Sequence, residues 1–383
     1  TGWRNGRARR AGRLSAHRRT RPARRPRGRM RIHRPPALSI TGQQDDMSSI
    51  QDKKILVTGA DGFIGSHLVE RLVQDGWQVR AFVFYTSFGT WGWLDTLPAD
   101  VLNNIEVIPG DIRDPNGVAE AVRGCFAVLH LAALIGIPYS YVAPDSYVET
   151  NIKGTLNILQ AARQHGTERI VHTSTSEVYG TARFIPMTEE HPLSAQSPYA
   201  ATKIAADQLA ASYACSFGLP VTILRPFNTY GPRQSNRAVI PTVITQIAAG
   251  NRRIVLGNTA PVRDFNYVLD TADAYLAVLR AEQSVGQTLQ TGTGTGFSIL
   301  ETVQAIADVM QTEVKIVQSA ERLRPAASEV MRLVADSSRL QALTGWRPRY
   351  AGREGFLRGL EETVQWFTTS GNLKKYAPQR YGI

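Results

Sequence analysis

The fold of this chain is decided by Val57-Thr-Gly59-Ala-Asp-Gly62-Phe-Ile-Gly65, which follows an apolar run at residues 55–58 and precedes an amphipathic run at residues 64–75. Glycines at this spacing allow a tight turn and a close approach of the backbone to a ligand. The N-terminus of a helix binds anions through backbone N–H groups that have no partner within the helix. We therefore predict a site for the pyrophosphate of a dinucleotide, and its candidate residues are Gly59, Gly62, Phe63, Ile64 and Gly65.

Short apolar runs alternate with longer amphipathic runs from Lys53 to Arg225. The predicted strands lie at residues 55–58, 79–84, 105–109, 127–131, 170–174 and 221–224. The predicted helices lie at residues 64–75, 115–122, 146–165 and 198–217. Strands that are apolar on both faces are typical of a parallel sheet covered by helices on each side. With right-handed crossovers, this order predicts an α/β fold with a doubly wound parallel sheet, the Rossmann fold.

After Arg225 the regular alternation ends, and prolines and glycines separate helices predicted at residues 240–249, 268–281, 299–310 and 354–368. This pattern predicts a smaller, mixed α/β region that binds substrate. We expect a disordered Arg-rich extension at residues 1–46, a mainly NAD-binding domain at 47–225 and a mainly substrate-binding region at 226–383. Some strands and helices of the last part are expected to return to the first sheet.

The positive charge of the chain is concentrated at one end. The chain has 44 Lys and Arg against 32 Asp and Glu, a net charge of +12, and residues 1–46 hold 14 arginines and two acids. Residues 47–383 are therefore neutral overall. A segment rich in Arg, Pro and Gly cannot bury enough apolar surface to fold. Because Met47 stands shortly before the first predicted strand, we expect residues 1–46 to be an upstream extension without a role. A transit peptide and nonspecific binding to nucleic acid or anionic surfaces are the alternatives.

The cysteine content and the hydropathy bear on location. The chain has two cysteines, Cys125 and Cys215, without the spacing of a disulfide framework or of a metal site. No apolar run reaches the roughly 18 residues that span a bilayer. We expect a cytoplasmic protein that binds no metal, no membrane and no specific nucleic acid.

The residues after the second strand bear on the choice of cofactor. They read Phe84-Tyr-Thr-Ser87, without the acid that binds the ribose hydroxyls of NAD or the arginine that binds the 2′-phosphate of NADP. The sequence favours NAD and does not exclude NADP. Asp111 and Ile112, after the third strand, suit the adenine.

A candidate catalytic pair follows the fifth strand, which ends in Thr173-Ser-Thr-Ser-Glu177. Tyr199 and Lys203 are separated by four residues at the start of a predicted helix and so share one face. A positive charge beside a phenol lowers its pKa, so we expect Lys203 to make Tyr199 a base. Such a base takes the proton of a hydroxyl group while hydride leaves the same carbon for nicotinamide.

These motifs resemble extended short-chain dehydrogenases of the NAD-dependent epimerase/dehydratase family that act on nucleotide sugars. The resemblance rests on the three glycines, on Thr175, Tyr199 and Lys203, and on Arg225-Pro-Phe-Asn-Thr-Tyr-Gly-Pro232. Residues 88–93, 137–141 and 179–184 are most similar to N-acetylhexosamine 4,6-dehydratases of the legionaminic acid type. The resemblance implies a homodimer formed by two helices per subunit, and further cofactor contacts from Leu131, Ala132, Ala133, Asn151, Tyr199, Lys203 and Pro226.

The triplet Thr175-Ser176-Glu177 resembles that of sugar-nucleotide 4,6-dehydratases. It implies oxidation of the sugar at C4, removal of the C5 proton by Glu177, loss of water from C6 and return of hydride to C6. Dehydratases of thymidine sugars usually carry Asp where this chain has Ser176, and serine is too weak an acid to protonate the leaving hydroxyl alone. We expect Glu177 to return the proton, or a water relayed by Ser176 to do so.

The resemblance also implies residues that bind a nucleotide diphosphate sugar. Asn228 and Arg263 match positions that bind the diphosphate, and Arg324 and Glu329 lie where the family closes over the nucleotide. Ser140 and Tyr141 are expected to line the sugar pocket.

Three other functions remain open. A UDP-glucuronate decarboxylase shares the triplet but should need a further cation for the substrate carboxylate, and residues 135–141 supply none. A 4-epimerase would not need Glu177. A non-catalytic NAD-binding regulatory protein would not need Thr175, Tyr199 and Lys203 together.

Overall fold

The computed structural model describes residues 53–369 and 371–376, so the expectations for residues 1–46 lie outside the described residues. The strands are β1 (Lys54–Thr58), β2 (Gln78–Phe84), β3 (Ile105–Gly110), β4 (Ala127–His130), β5 (Arg169–Thr173), β6 (Val221–Pro226), β7 (Asn228–Tyr230), β8 (Arg253–Leu256), β9 (Val262–Tyr267), β10 (Thr288–Thr291), β11 (Gly296–Ser298), β12 (Lys315–Gln318) and β13 (Arg332–Leu333). The α-helices are α1 (Phe63–Gln74), α2 (Ala99–Leu102), α3 (Pro115–Val122), α4 (Ile137–Val142), α5 (Pro144–Tyr147), α6 (Gly154–His165), α7 (Pro198–Phe217), α8 (Val239–Ala248), α9 (Val268–Arg280), α10 (Ile299–Val309), α11 (Ser338–Thr344) and α12 (Gly352–Thr368).

The main sheet has seven parallel strands in the order β10-β6-β5-β4-β1-β2-β3. From β1 the chain builds outward through β2 and β3, and it then returns to the other side of β1 to form β4. The carboxyl ends of β1 and β4 therefore face a crevice at which ligands bind in folds of this kind. The predicted doubly wound α/β fold is confirmed.

Apolar side chains fill both faces of this sheet. One face packs against α1 and α9 through residues such as Leu68 and Tyr275. The other face packs against α3, α6 and α7 through residues such as Val118, Ile158 and Ala210. Both α9 and β10 come from the sequence after Arg225, so that part of the chain returns to the first sheet. The domain boundary at Arg225 stays a proposal.

The later residues also build a second layer beside the main sheet. Strands β11, β9 and β13 pair in that order, and β7 pairs with β9. Helices α8, α10 and α12 cover this small sheet through a cluster that includes Ile244, Ile306 and Phe356. The small sheet thus presents β7 and β9 beside the carboxyl edge of β6, from which β7 directly continues.

One predicted helix is interrupted in the structure. Residues 146–165 were expected to be continuous, but a π-helical turn at Val148–Lys153 separates α5 from α6. At its centre the Asn151 side chain donates to the carbonyl of Leu134 (2.9 Å) and accepts from its N–H (2.8 Å). A π turn inserts one residue into the helical ladder and is frequent at functional sites. Contacts with a distant loop therefore override the helical pattern here.

Candidate active site

The predicted phosphate loop connects β1 to α1. Gly59 has a φ of +67° and a side chain there would meet the backbone of Ala132 at 2.9 Å, so only glycine fits. A side chain at Gly65 would meet the Gly59 carbonyl at 2.1 Å. No side chain caps the start of α1, so the N–H groups of Phe63, Ile64 and Gly65 are available to a phosphate. The loop fits the pyrophosphate of a dinucleotide.

The Thr58 side chain, which sequence analysis missed, joins the ends of β1 and β4 at the crevice. The Thr58 hydroxyl accepts from the N–H groups of Leu131 and Ala132, both at 3.1 Å, and lies 2.8 Å from His130 Nδ1. Its position at the end of the first strand was the only available signal. Thr58 thus positions residues 131–133, which the resemblance assigns to the cofactor, against the phosphate loop.

The predicted catalytic pair, Tyr199 and Lys203, lies under the carboxyl edge of the sheet. Ser197 caps α7 by accepting from the Ala200 N–H at 3.1 Å, and Pro198 occupies the first helical position. This start brings Tyr199 and Lys203 onto one buried face, 6% and 4% exposed. Lys203 Nζ donates to the carbonyl of Thr173 at 2.5 Å. The fifth strand and α7 are therefore joined at the proposed catalytic lysine.

The pKa of Tyr199 differs in direction from the prediction. Burial raises the pKa of the phenol, a hydrogen bond with Thr175 opposes this, and the charge of Glu177 adds to it. Burial also lowers the pKa of Lys203 to about 8, against the attraction of Asp207. In the protein alone the pKa thus shifts in the direction opposite to the lowering expected from Lys203, because burial of the phenol is the largest influence on it.

The remaining members of the triplet lie beside Tyr199. Thr175 caps a short 3₁₀ turn over Ser176–Tyr179 by accepting from the Glu177 N–H at 3.2 Å. Glu177 is partly exposed, and its charge acts on both the Tyr199 phenol and the Arg263 guanidinium. Ser176 is only 2% exposed. Within the triplet, the carboxylate is therefore near enough to the proposed base and to the proposed diphosphate-binding arginine for its charge to act on both.

Asn151 joins the cofactor loop to the catalytic helix. Besides its two bonds to Leu134, its amide donates to the Thr202 hydroxyl at 3.0 Å, and Thr202 donates to the carbonyl of Tyr199 at 2.8 Å. The side chain is 1% exposed and both of its polar atoms have protein partners. These contacts favour a positioning role for Asn151 over direct contact with a cofactor.

The other predicted cofactor residues lie along the carboxyl edge. Asp111 follows β3, and Arg113 donates to both of its carboxylate oxygens, at 2.9 and 3.1 Å from Nε. Ile112 is buried under the same turn, and Pro226 ends β6. Their positions agree with one cofactor groove, and the contacts themselves stay predictions.

A buried carboxylate that sequence analysis missed lies behind the pair. Asp207, one helical turn beyond Lys203, accepts from Ser174 Oγ at 2.7 Å and Arg225 Nη2 at 3.0 Å. His172 Nε2 lies 3.2 Å from its other oxygen. Burial would raise the pKa of Asp207, but His172 and Arg225 outweigh it and the pKa is lowered. The spacing of four residues from Lys203 could have indicated this residue.

His67, in α1, gives a pH dependence that can be tested. Burial, and then the charge of Arg233, lower its pKa to about 3 from the usual 6.5, while Nε2 lies 3.0 Å from the Pro232 carbonyl. The unfolded chain takes up a proton below pH 6.5 and the folded chain does not, so stability falls as the pH drops. We expect His67 to lower the free energy of unfolding by about 2 kcal/mol as the pH falls from 6.5 to about 5.

The measurement compares urea unfolding of wild type and His67→Gln over this pH range. The variant should lose less stability on acidification, by about 2 kcal/mol. Near pH 8 both side chains are neutral, so the difference in unfolding free energy between the two proteins should not change with pH there. Equal losses in both proteins on acidification would contradict the prediction.

The proposed substrate residues converge on the small sheet. Asn228 in β7 pairs in register with Phe265 of β9. Because Arg263 lies two residues before Phe265 on the same strand, the side chains of Asn228 and Arg263 share one face of the small sheet. Glu329 Oε1 lies 3.7 Å from Arg263 Nη2 and 3.6 Å from Arg324 Nη1. Asn228 Oδ1 and Arg324 Nη1 are buried without a hydrogen-bond partner. Arg263 and Arg324 thus lie together beside Glu329, and Arg324 Nη1 keeps a hydrogen-bond donor for an anionic ligand.

The segment that carries Arg324 and Glu329 is joined by hydrogen bonds to Tyr141 and Gln196. Tyr141 Oη lies 2.6 Å from Ser328 Oγ, and Ser328 donates to the carbonyl of Gln196 at 2.5 Å. Gln196 in turn donates to the carbonyl of Ala327 at 2.9 Å. The structure therefore joins Tyr141 to the proposed closing segment. Ser140, in contrast, is fully buried and its hydroxyl donates to the Ile137 carbonyl at 2.6 Å.

A cation lies near the loop of residues 135–141 but comes from another part of the chain. A side chain at Gly136 would lie 2.8 Å from Arg237 Nη1. Tyr147 donates to the Gly136 carbonyl, and its ring packs edge-on against Tyr199 at 6.2 Å between centroids. Arg237 thus lies near Tyr199 through one intervening side chain. No sequence pattern indicated it, because it is a hundred residues further along the chain.

A family model described as GDP-mannose 4,6 dehydratase matches residues 56–358. The chain belongs to this family of extended short-chain dehydrogenases. The family was expected from the glycine motif and the Tyr–Lys pair, and that expectation is confirmed. The family uses NAD, and the family-level prediction of NAD is confirmed with it.

Relatives in this epimerase/dehydratase family catalyse different reactions. A UDP-N-acetyl-α-D-glucosaminuronate decarboxylase of Bacillus cytotoxicus is 35% identical, over 82% of this chain and 98% of the relative. The structure of a dTDP-glucose 4,6-dehydratase of Streptomyces venezuelae with NAD bound has a TM-score of 0.74 at 31% identity, covering 83% of this chain and 97% of that one. A UDP-N-acetylglucosamine 4-epimerase structure from Methanobrevibacter ruminantium has a TM-score of 0.73 at 30% identity, covering 82% and 98%. The chain is thus a member of a group of NAD-dependent nucleotide-sugar enzymes.

Other general properties concern the described residues alone. In residues 53–369 and 371–376, no helix combines the length and the apolar character that crossing a bilayer requires. Both cysteines are free, with Cys125 buried and Cys215 exposed.

Proposed function

We propose that this protein is a nucleotide-sugar 4,6-dehydratase that converts NDP-N-acetylglucosamine, or a related NDP-hexose, to its 4-keto-6-deoxy sugar. The observation that carries the proposal is the position of Glu177, whose charge acts on both Tyr199 and Arg263. A carboxylate near both the proposed C4 base and the proposed diphosphate-binding arginine is suited to removing the proton on C5. A simple 4-epimerase has no use for such a carboxylate.

Each side chain then has a stated task. Tyr199 takes the proton of the C4 hydroxyl. Thr175 forms a hydrogen bond with its phenol, and Lys203 joins the helix of Tyr199 to the carbonyl of Thr173. Bound NAD, whose oxidised ring also carries a positive charge, supplies the acceptor for the C4 hydride and later the hydride for C6. Glu177 removes the C5 proton, which the new C4 ketone makes acidic, and the C6 hydroxyl leaves as water. Because Ser176 is buried and a weak acid, Glu177 returns the proton or a water held by Ser176 relays it.

The substrate is held on the opposite side of the site. Arg263 and Arg324 bind the diphosphate, and the side-chain amide N–H groups of Asn228 donate to it. Bidentate guanidinium–phosphate pairing suits two such arginines. The tie between Tyr141 and Ser328 closes the segment of Arg324 over the nucleotide.

A nucleotide-uronate decarboxylase is the second candidate, because of Arg237. The sequence argued against decarboxylation since residues 135–141 contain no cation, but the structure brings Arg237 against Gly136 of this loop. A guanidinium group there suits the C6 carboxylate of a uronate. The decarboxylase of Bacillus cytotoxicus is also 35% identical to this chain. Both reactions begin with oxidation at C4, for which NAD would accept the hydride and Tyr199 the hydroxyl proton.

The test is a mass analysis of products. The chain is incubated with NAD and, separately, with UDP- and GDP-N-acetylglucosamine and UDP-N-acetylglucosaminuronate. We expect loss of one water and uptake of one solvent deuteron at C5 with an N-acetylglucosamine nucleotide. Loss of carbon dioxide from the uronate alone would establish the decarboxylase, and a product of unchanged mass with inverted C4 would establish the epimerase.

Further features of the proposal rest on the resemblance. We expect a lyase of polysaccharide biosynthesis in the cytoplasm, and a homodimer in which α7 contributes to the interface. Residues 47–225 and 226–383 remain the proposed cofactor-binding and substrate-binding regions. These features stay predictions.

A further inference from the structure

The end of β2 lacks the acid that usually selects NAD. Phe84 and Tyr85 follow the buried part of the strand and are 61% and 64% exposed. In dinucleotide-binding folds an acid at this point holds the ribose hydroxyls, and an arginine holds the 2′-phosphate of NADP. Neither residue type occupies residues 84–87, so the sequence along the strand does not explain the choice of cofactor.

The structure brings an acid to this point from another segment. The N–H groups of Gly59 and Ala60 donate to the Phe82 carbonyl at 3.1 and 3.4 Å, which joins the phosphate loop to the end of β2. The Asp61 carboxylate lies close enough to the backbone N–H groups of Asp61 and Phe84 for them to lower its pKa, against the larger effect of burial. Asp61 therefore lies beside the strand end where an acid of β2 would otherwise stand.

A second segment encloses Asp61. Trp93 N–H donates to the Asp61 carbonyl at 3.0 Å. Gly92, with a φ of +59°, passes so close that a side chain there would meet this carbonyl at 2.7 Å. Burial raises the pKa of Asp61, since these residues displace water from it. A carboxylate partly removed from water gains from hydrogen-bond donors on a ligand.

We propose that Asp61 binds the 2′- and 3′-hydroxyls of the adenosine ribose and thereby selects NAD over NADP. Asp61 directly precedes Gly62, and the N–H groups that follow are those offered to the pyrophosphate. In NAD the adenosine ribose is bonded directly to that pyrophosphate. A carboxylate beside the pyrophosphate site is therefore close enough to contact this ribose. A 2′-phosphate would be repelled by the negative charge.

The nearby arginine does not reverse this selection. Arg113 lies beyond the end of β3, which pairs with β2, and is the natural rival as a 2′-phosphate ligand. Its guanidinium group donates to both oxygens of Asp111, at 2.9, 3.1 and 2.5 Å. Because Asp111 neutralises it, Arg113 offers little net charge to a phosphate.

The test measures cofactor binding without any sugar, so it does not depend on turnover. It rests on the proposed assignment of NAD to this groove. The full chain, freed of bound nucleotide, is titrated with NAD and with NADP by calorimetry. For Asp61→Asn we expect NAD affinity to fall by about tenfold or more, from loss of charged hydrogen bonds, and the NAD-to-NADP affinity ratio to fall by at least that factor.

Asp95→Asn is the matched control. Asp95 accepts from the Trp91 N–H at 3.0 Å in the same aromatic segment, and its replacement removes the same charge without touching the strand end. We expect the NAD-to-NADP affinity ratio of Asp95→Asn to stay within about twofold of wild type. This is a smaller change than the loss of one hydrogen bond to the cofactor would cause. An unchanged ratio in Asp61→Asn, or an equal change in Asp95→Asn, would overturn the proposal. Failure of wild type to bind either nucleotide would instead reject the proposed function.

Discussion

Glu177→Gln should abolish the loss of water while leaving oxidation at C4 in place. Glutamine keeps the size of the side chain but cannot take the C5 proton, and general base catalysis is worth roughly 10²- to 10⁴-fold. Mixing the variant with substrate should convert bound NAD to its reduced form, visible by absorbance, with a 4-keto sugar that has lost no water. The rate of dehydrated product should fall by that factor.

The control for this experiment is Glu190→Gln. Glu190 is an exposed acid that pairs with Arg339 at 2.8 Å, outside the site. Its replacement should leave the rate of dehydration within about twofold, since exposed ion pairs contribute little. Normal formation of the 4-keto-6-deoxy sugar by Glu177→Gln would remove Glu177 from the mechanism.

Tyr199→Phe should stop the reaction one step earlier. Phenylalanine fills the same buried space but cannot accept the C4 hydroxyl proton, so both reduction of bound NAD and product formation should fall roughly 10²- to 10⁴-fold. Binding of NAD should persist, because the phosphate loop is unaffected. Rapid-mixing absorbance measures the first step, and calorimetry measures cofactor binding.

Tyr213→Phe serves as the matched change on the same helix. Tyr213 is 7% exposed and packs edge-on against Phe217, at 5.0 Å between centroids, at the far end of α7. Loss of its hydroxyl should alter neither step. A Tyr199→Phe enzyme that still reduced NAD at the wild-type rate would exclude the phenol as the base.

Local patterns predicted much of the fold and part of the site. The strand, glycine turn and helix around Gly59 are contiguous in sequence, and so are Tyr199 and Lys203 on one helical face. Such features depend on spacing of a few residues, which the sequence displays directly. The predicted strand and helix boundaries in the first sheet mostly lie within two residues of the structure. The exception is the π turn around Asn151, whose side chain bonds to a distant loop.

The features that sequence did not predict depend on the neighbours of a residue in space. Asp61 reaches the end of β2 because β1 and β2 are adjacent strands, and Arg237 reaches Gly136 across the chain. The direction of the Tyr199 pKa depends on burial, which the spacing to Lys203 does not report. Each of these requires the assembled sheet and loops.

The strand β10 affects how this protein must be made. The Ile223 N–H donates to the Gln287 carbonyl at 2.9 Å, and the Gly286 N–H donates to the Val221 carbonyl at 2.8 Å. A ribosome completes residues 53–226 well before these partners exist, so the nascent chain exposes β6 as an unpaired edge that is prone to aggregate. A fragment ending near Arg225 would retain this exposed edge and would also lack α9 against its core. Separate expression of the two halves should therefore give unstable proteins.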